Sequence, residues 1–348
     1  MLDVNALAGW LSATLPELVS STSTLTVRQF PAGFSNLTFL VGGGERAVVL
    51  RRPPHGATSG NAHNMGREHD LLAALWESGI AVPRPLARCD DPQVIGAPFY
   101  VMEYVDGVIL RGAMPPELPA TAADAQVTLT RLSETFVTTL ARLHAVDVTA
   151  TGLSTLGRPE GYVQRQVEGW TRRWQASRID EVASLDRVAL WLSSHQPPDG
   201  AAALIHNDFK FDNLVLDRND LSQVVAILDW EMATIGDPLM DLGTSLAYWV
   251  EPDDPPIFRA LGLGVTALPG SMSRAEVVYA YSVASGRDVR NVAFYYTFGL
   301  FKVAVIAQQI YARHRQGLTS DPRFARLGEV VVALGESAER ATGTPGIV

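Results

Sequence analysis

Asp208 and Asn213 stand five positions apart in His206-Asn207-Asp208-Phe209-Lys210-Phe211-Asp212-Asn213, and Asp229 follows sixteen residues later in Leu228-Asp229-Trp230-Glu231. A carboxylate on a loop can take the proton of an attacking hydroxyl. A carboxamide and a second carboxylate can hold magnesium against nucleotide phosphates. Phosphoryl transfer needs both. Taken singly, each acid also reads as a turn former or a helix cap. The ordered set, His-x-Asp-x-Lys-x-x-Asn and then Asp, points to kinase chemistry.

The flanking elements must aim these groups. Apolar runs at 203–205 and 224–228 read as short strands flanking the chemistry, and the strand that follows Asn213 leads into a turn at 218–222. The turn returns the chain beside itself, so Asp229 can face Asn213. Upstream, residues 3–18 carry apolar positions at helical spacing behind Asp3, a candidate N-cap. Runs at 24–30, 37–41 and 47–50 predict strands, punctuated by Gly33 and Gly42-Gly43-Gly44. Residues 67–78 predict a helix with Leu71, Leu72, Leu75 and Trp76 on its apolar face. Residues 98–104 predict another strand, ending in Asp106-Gly107. The Pro-rich stretch 111–120 reads as a loop, 122–145 as a long helix, 160–195 as helical, and the chain beyond about 238 as mainly helical. Residues 292–311 are the most apolar stretch; Lys302, Gln308 and Gln309 make it a buried helix rather than a membrane span. No repeat or low-complexity tract is seen. The fold class is α+β, with a small β-rich lobe over residues 1–104 and a larger, mainly helical lobe over 105–348. A cleft between lobes is a favoured place for a ligand.

The sequence resembles the aminoglycoside phosphotransferase and choline kinase superfamily, which has a two-lobed protein-kinase-like fold. It is most similar to the phosphotransferase-like domains found alone in bacteria or fused to acyl-CoA dehydrogenases. The residues that carry this are Val49-Leu50-Arg51-Arg52-Pro53-Pro54, the stretch 95–104, His206 to Asn213, and 228–242; the match spans 30–317. The resemblance implies that Asp208 is the base, that Asn213 and Asp229 bind Mg2+, and that ATP is the co-substrate. Lys210 is similar to the lysine that approaches the transferred phosphoryl group, the alternative being a solvated loop lysine. His206 is expected to buttress the loop, and Asp241 to tie it to the next helix. Arg51 stands where a phosphate-binding lysine normally ends the third strand, and can pair phosphate oxygens in a bidentate fork. Glu68 is its natural partner; the alternative is a first-turn glutamate favoured by the helix dipole. Ser35 and Asn36 are expected to donate to phosphate oxygens, although Gly-x-Ser-Asn is also an ordinary hairpin turn. Glu103, Tyr104 and Val105, at the lobe junction, are expected to offer backbone groups to adenine.

Bulk properties narrow the classes. The chain has 348 residues, 47% hydrophobic and 19% charged, the composition of a packed globular protein;. A net charge of −9 argues against nucleic acid as a partner;. The single cysteine, Cys89, excludes an intrachain disulfide and a thiolate metal cluster;. No secretory pattern opens the sequence, so a cytoplasmic enzyme without a membrane partner is expected. The partners expected are a nucleotide and a small hydroxylated substrate; the oligomeric state is not readable. A catalytically idle nucleotide-binding protein need not keep Asp208, Asn213 and Asp229 together. A protein kinase is disfavoured because no Asp-Phe-Gly to Ala-Pro-Glu segment follows Asp229. The acceptor is the open question. Glu251, Asp253 and Asp254 suggest the acidic cluster an aminoglycoside would want, the alternative being a solvated loop. Arg172, Arg173, Arg178, Arg287 and Arg290 would instead suit an anionic substrate such as a hydroxyacyl-CoA, the alternative being that they lie in solvent. Trp170, Trp174, Trp191, Trp230 and Trp249 read as core; because Trp230 and Trp249 flank the metal-site segment, the alternative is that one of them borders the acceptor pocket.

Overall fold

The computed structural model describes residues 2–16, 25–30, 36–42, 47–54, 64–112, 122–259, 264–319 and 321–343. Helix α1 (Val4–Thr14) begins where expected: the Asp3 carboxylate accepts from the amides of Asn5 at 3.1 Å and Ala6 at 3.0 Å. These bonds satisfy donors that a helix start leaves free. Five strands follow: β1 (Thr26–Gln29), β2 (Leu37–Gly42), β3 (Ala47–Arg52), β4 (Pro85–Cys89) and β5 (Phe99–Glu103). They form one antiparallel sheet in the order β1-β2-β3-β5-β4. Strand β4 was not expected. Pro85-Leu86-Ala87-Arg88-Cys89 lacks a β-branched run, and pairing with β5 makes it a strand despite a register shift between Pro85 and Ala87;.

Neighbouring strand positions point to opposite faces of the sheet. Val48 and Leu50 join Phe99, Val101 and the α1 residues Leu7 and Leu11 in one apolar cluster. Val49 joins Tyr100, Met102 and three leucines of α2 (Met65–Glu77), Leu71, Leu72 and Leu75, in the main core. Arg51 shares the Val49 face. The alternation that buries β3 therefore also turns this guanidinium toward α2 and the helical lobe.

The larger lobe contains α3 (Ala122–His144), α4 (Tyr162–Ser177), α5 (Ala183–Ser194), α6 (Pro238–Tyr248), α7 (Pro256–Phe258), α8 (Arg274–Ser285), α9 (Val292–Arg315) and α10 (Leu327–Thr342). Two small antiparallel ladders lie among them: β6 (Ala203–Ile205) with β9 (Thr234–Gly236), and β7 (Leu214–Leu216) with β8 (Val224–Ile227). Helix α9 is buried over most of its length, which explains why its sequence lacks a polar face;. It crosses α6 with backbones in contact: a Cβ on Gly243 would lie 2.1 Å from the Tyr295 carbonyl oxygen, and one on Gly299 2.1 Å from that of Gly243. Among the described residues no helix is long and apolar enough to cross a membrane.

Trp230 and Trp249 do not border a pocket. Each is 1% exposed, and their indole nitrogens donate to the carbonyls of Ile227 and Met272, both at 2.8 Å. They are core residues whose polar edge is satisfied by the backbone. Of the expected 111–120 loop, residues 113–120 lie outside the described residues.

Candidate active site

The loop after β6 is fixed from below. Asp241, in the first turn of α6, is fully buried. Its carboxylate accepts from the His206 amide at 2.6 Å, the Asn207 amide at 2.8 Å and the His144 ring at 3.2 Å. Burial alone would raise its pKa, but these donors hold it below the ordinary carboxylate range;. This is the tie expected from the sequence. His206 is the expected buttress: its Nε2 meets the Leu228 carbonyl at 2.9 Å, and its Nδ1 meets the Asp208 amide at 3.3 Å.

Asp208 emerges from this support. Lys210 Nζ lies 2.9 Å from one of its carboxylate oxygens, and the Asn213 amide nitrogen donates to the same oxygen at 2.9 Å and to the Asp208 carbonyl at 2.8 Å. Burial lowers the Lys210 pKa, yet Tyr248 and Asp208 outweigh it and hold the ammonium well above its usual range. The Lys210 ammonium also sits 4.6 Å from the Tyr248 ring centre, a cation–π contact;. Burial and the facing Asp208 carboxylate push the Tyr248 hydroxyl well up. Asp212, four residues past Asp208, is raised by burial against the pull of Lys210 and Arg111.

Asn213 and Asp229 come together as expected. The Leu228 amide donates to the Asn213 carbonyl at 2.8 Å as β7 pairs with β8. The Asn213 amide nitrogen is committed to Asp208, which leaves its amide oxygen as the atom able to ligate a cation. Asp229 has φ 67°, in the left-handed region that non-glycine residues seldom adopt;. Among the described residues no cluster of three His, Cys, Asp or Glu could hold a metal. A carboxamide and a carboxylate are hard oxygen donors, and Mg2+ is usually held by one or two carboxylates together with substrate phosphates and water. The pair fits that ion.

Across the cleft, Arg51 pairs with Glu68 at 3.2 Å, as expected, and also with Asp229 at 3.0 Å and Glu231 at 3.5 Å. Burial opposes the charge on Arg51, but Glu68, Tyr100 and Asp229 hold its pKa well above normal. Glu68 is pushed up by burial in spite of Arg51. Burial would also raise Asp229, and Arg51 overrides it downward. Asn36 donates to Glu231 at 2.9 Å, so the start of β2 touches the same network. Ser35 lies outside the described residues. At the lobe junction the Glu103 amide donates to the Arg84 carbonyl at 2.8 Å and is taken. Tyr104 is 39% exposed and Val105 half-buried.

Two expectations about the acceptor are corrected. Glu251 and Asp254 are not a free acidic cluster, because Arg274 pairs with both. Three of the five arginines are surface residues with local partners: Arg172 with Glu168, Arg178 with Asp186, and Arg290 with Asp288. Arg287 donates to the backbone carbonyls of Ala201 and His144, and Arg173 stacks over Trp170. Close sequence neighbours or backbone supply most of these partners. A 480 Å³ cavity between α4 and α5, and a 590 Å³ groove where α2, α3 and β8 meet, include no residue of the Asp208 constellation. Sequence reasoning gave no role to Tyr248, Glu231 or Lys302. The available signal was a charged side chain in an apolar run for Lys302, and a second acid two residues past Asp229 for Glu231.

Comparison with known proteins gives the family and the fold. The model of a family described as phosphotransferase enzyme family matches residues 26–274. Acyl-CoA dehydrogenase family member 11 of Gallus gallus is 36% identical over 344 residues, covering 96% of this chain and 43% of that protein. The chain thus spans less than half the length of this curated relative. A solved candidate aminoglycoside phosphotransferase from Ralstonia eutropha JMP134 superposes with a TM-score of 0.80 at 28% identity, over 99% of both chains. Spectinomycin phosphotransferase, solved with ADP and spectinomycin, shares the fold with a TM-score of 0.63 at 12% identity, over 98% of this chain and 99% of that one.

Proposed function

Because this chain belongs to the phosphotransferase enzyme family, we propose that it is a Mg2+- and ATP-dependent kinase that phosphorylates a hydroxyl of a small molecule. The observation that carries this reading is the convergence of Asp208, Lys210 and Asn213 on one loop, with Asp229 beside it and Arg51 facing it. Asp208 takes the acceptor's proton as the hydroxyl oxygen bonds to the γ-phosphorus and the bond to the ADP oxygen breaks. Lys210 holds the Asp208 carboxylate and faces the transferred group. The amide oxygen of Asn213 and the Asp229 oxygen not engaged by Arg51 hold the metal, which when bound supplies charge neutralisation on the phosphates. Arg51, positioned by Glu68, pairs phosphate oxygens, joined by Asn36 and Ser35. Backbone groups of Glu103, Tyr104 and Val105 receive adenine, the Glu103 carbonyl taking over from its occupied amide. Residues 1–104 then form the nucleotide lobe, and 105–348 the catalytic and acceptor lobe.

The acceptor we favour is a hydroxyacyl thioester. Support comes from the likeness to a protein named as an acyl-CoA dehydrogenase family member. Pairing of Glu251 and Asp254 with Arg274 removes the acidic wall a polycationic aminoglycoside would need. Mg·ATP should raise the melting temperature of the wild type and much less that of Asp229→Ala, because a ligand stabilises by its saturation of the folded state. Equal shifts would remove Asp229 from the metal site. Steady-state kinetics on hydroxyacyl-CoA and aminoglycoside panels then decide the acceptor. Turnover of aminoglycosides alone would overturn the thioester and leave the kinase standing.

A further inference from the structure

The chain contains 26 arginines and only two lysines, Lys210 and Lys302. Arginine is the common cation of this chain, yet both lysines lie at the Asp208 loop. Lys302 is on α9, 2% exposed, and donates to the Asn207 carbonyl at 2.6 Å. That carbonyl belongs to the peptide unit whose N–H is that of Asp208, and this N–H meets His206 Nδ1 at 3.3 Å. The peptide leading into Asp208 is therefore gripped at both ends. Asn207 itself sits at φ 67°, a left-handed conformation. Its amide group bonds the Tyr162 hydroxyl at 3.1 Å and the Met232 carbonyl at 3.0 Å. A strained residue persists only where its surroundings over-determine it.

We propose that Lys302 is a positioning residue for Asp208, its ammonium setting the orientation of the Asn207–Asp208 peptide. The inference rests on Asp208 being the base. A compact ammonium suits this enclosed point, where a planar guanidinium fork does not. Four charged groups face Lys302: Asp208 and Asp241, which favour its charge, and Lys210 and Arg173, which oppose it; the Trp170 ring centre lies 5.8 Å away. Burial dominates and brings its pKa down to about 8. The grip is accordingly linked to a proton near neutral pH. Above that value the amine is neutral and the carbonyl loses its charge-assisted donor.

With two lysines, the Nζ signals of 15N-lysine-labelled protein are assignable from Lys302→Met alone. In wild type the Lys302 signal should titrate near pH 8, and in uniformly 15N-labelled protein the Asp208 amide should follow the same midpoint. An Asp208 amide that does not respond at the Lys302 midpoint overturns the proposal, and this readout is taken on the wild-type protein. ADP formation from Mg·ATP, with water as acceptor, gives the functional readout. Per folded molecule, Lys302→Met should lose on the order of tenfold in kcat at unchanged KM for ATP, and lose the inflection near pH 8. Unchanged kcat and pH profile in Lys302→Met overturns it as well. If wild type neither binds nor turns over Mg·ATP, the kinase reading fails, while the amide titration still decides whether Lys302 controls the Asp208 peptide.

Discussion

The two sides of the cleft are held by different physics. On the helical side, Asp241, His206 and Lys302 grip the Asp208 loop largely through its own backbone, and all three are buried. On the sheet side, Arg51 spans to Glu68, Asp229 and Glu231 through side-chain charge. The first arrangement is complete within the protein. The second sets one cation against three carboxylates, and Asp229 remains 37% exposed. A phosphate and a cation entering there would take over bonds the side chains now make to each other. On the proposed function, the base side is held rigid and the nucleotide side exchanges partners.

The largest effect should come from breaking the rigid side. Asp241→Ala leaves two loop amides and His144 without their acceptor in a buried site. Removing one member of such a buried network costs about 3–5 kcal/mol, read from urea unfolding. The acid limb sharpens the point. The folded-state pKa of Asp241 is depressed, so its contribution is complete above the ordinary carboxylate range and is lost as pH falls through the folded value. The variant should lose stability less steeply on acidification than wild type. A change within about 0.5 kcal/mol, as at an ordinary surface site, would mean that the loop is held elsewhere.

Next is Asp208→Asn. It preserves size but cannot take the proton, and should cost on the order of a hundredfold or more in turnover. Mg·ATP should still raise the variant's melting temperature, because the nucleotide side is untouched. Turnover near the wild-type rate would move the base to another group, Asp212 being the next candidate.

The smallest effect belongs to the exchangeable side. Glu68→Gln removes one of three carboxylates from Arg51. Asp229 and Glu231 remain as partners, and a carboxyl already raised by burial gives up little. Stability should change by about 1 kcal/mol, because the carboxamide oxygen can still accept from Arg51, while the KM for ATP rises as Arg51 turns further toward Asp229. A loss as large as that of Asp241→Ala would erase the contrast between the two sides.

The rigid side was the more legible in sequence. His206, Asp208, Asn213 and Asp229 sit between short apolar strands, so local pattern was enough to place them. Asp241 was legible because it follows Gly236-Asp237-Pro238, a helix start. Arg51 and Glu68 were legible as a pair because each lies on a regular element of clear period. What failed depended on long-range contact. Lys302 meets Asn207 across 95 residues, and no local pattern announces that. Arg274 neutralises Glu251 and Asp254 from the start of another helix, so the acids looked available. Trp230 and Trp249 flanked the right residues in sequence, but indoles that large go where the core can take them;.

The bare crossing of α6 and α9 carries a last consequence. One helix bears Asp241 and the other Lys302, the two hooks on which the loop hangs. Gly243 and Gly299 let the rods seat without a spacer. A single methyl at either place would act as a shim, shifting one hook against the other and throwing the loop out of true. Activity should therefore vanish from Gly243→Ala or Gly299→Ala even though neither glycine touches any group that reacts.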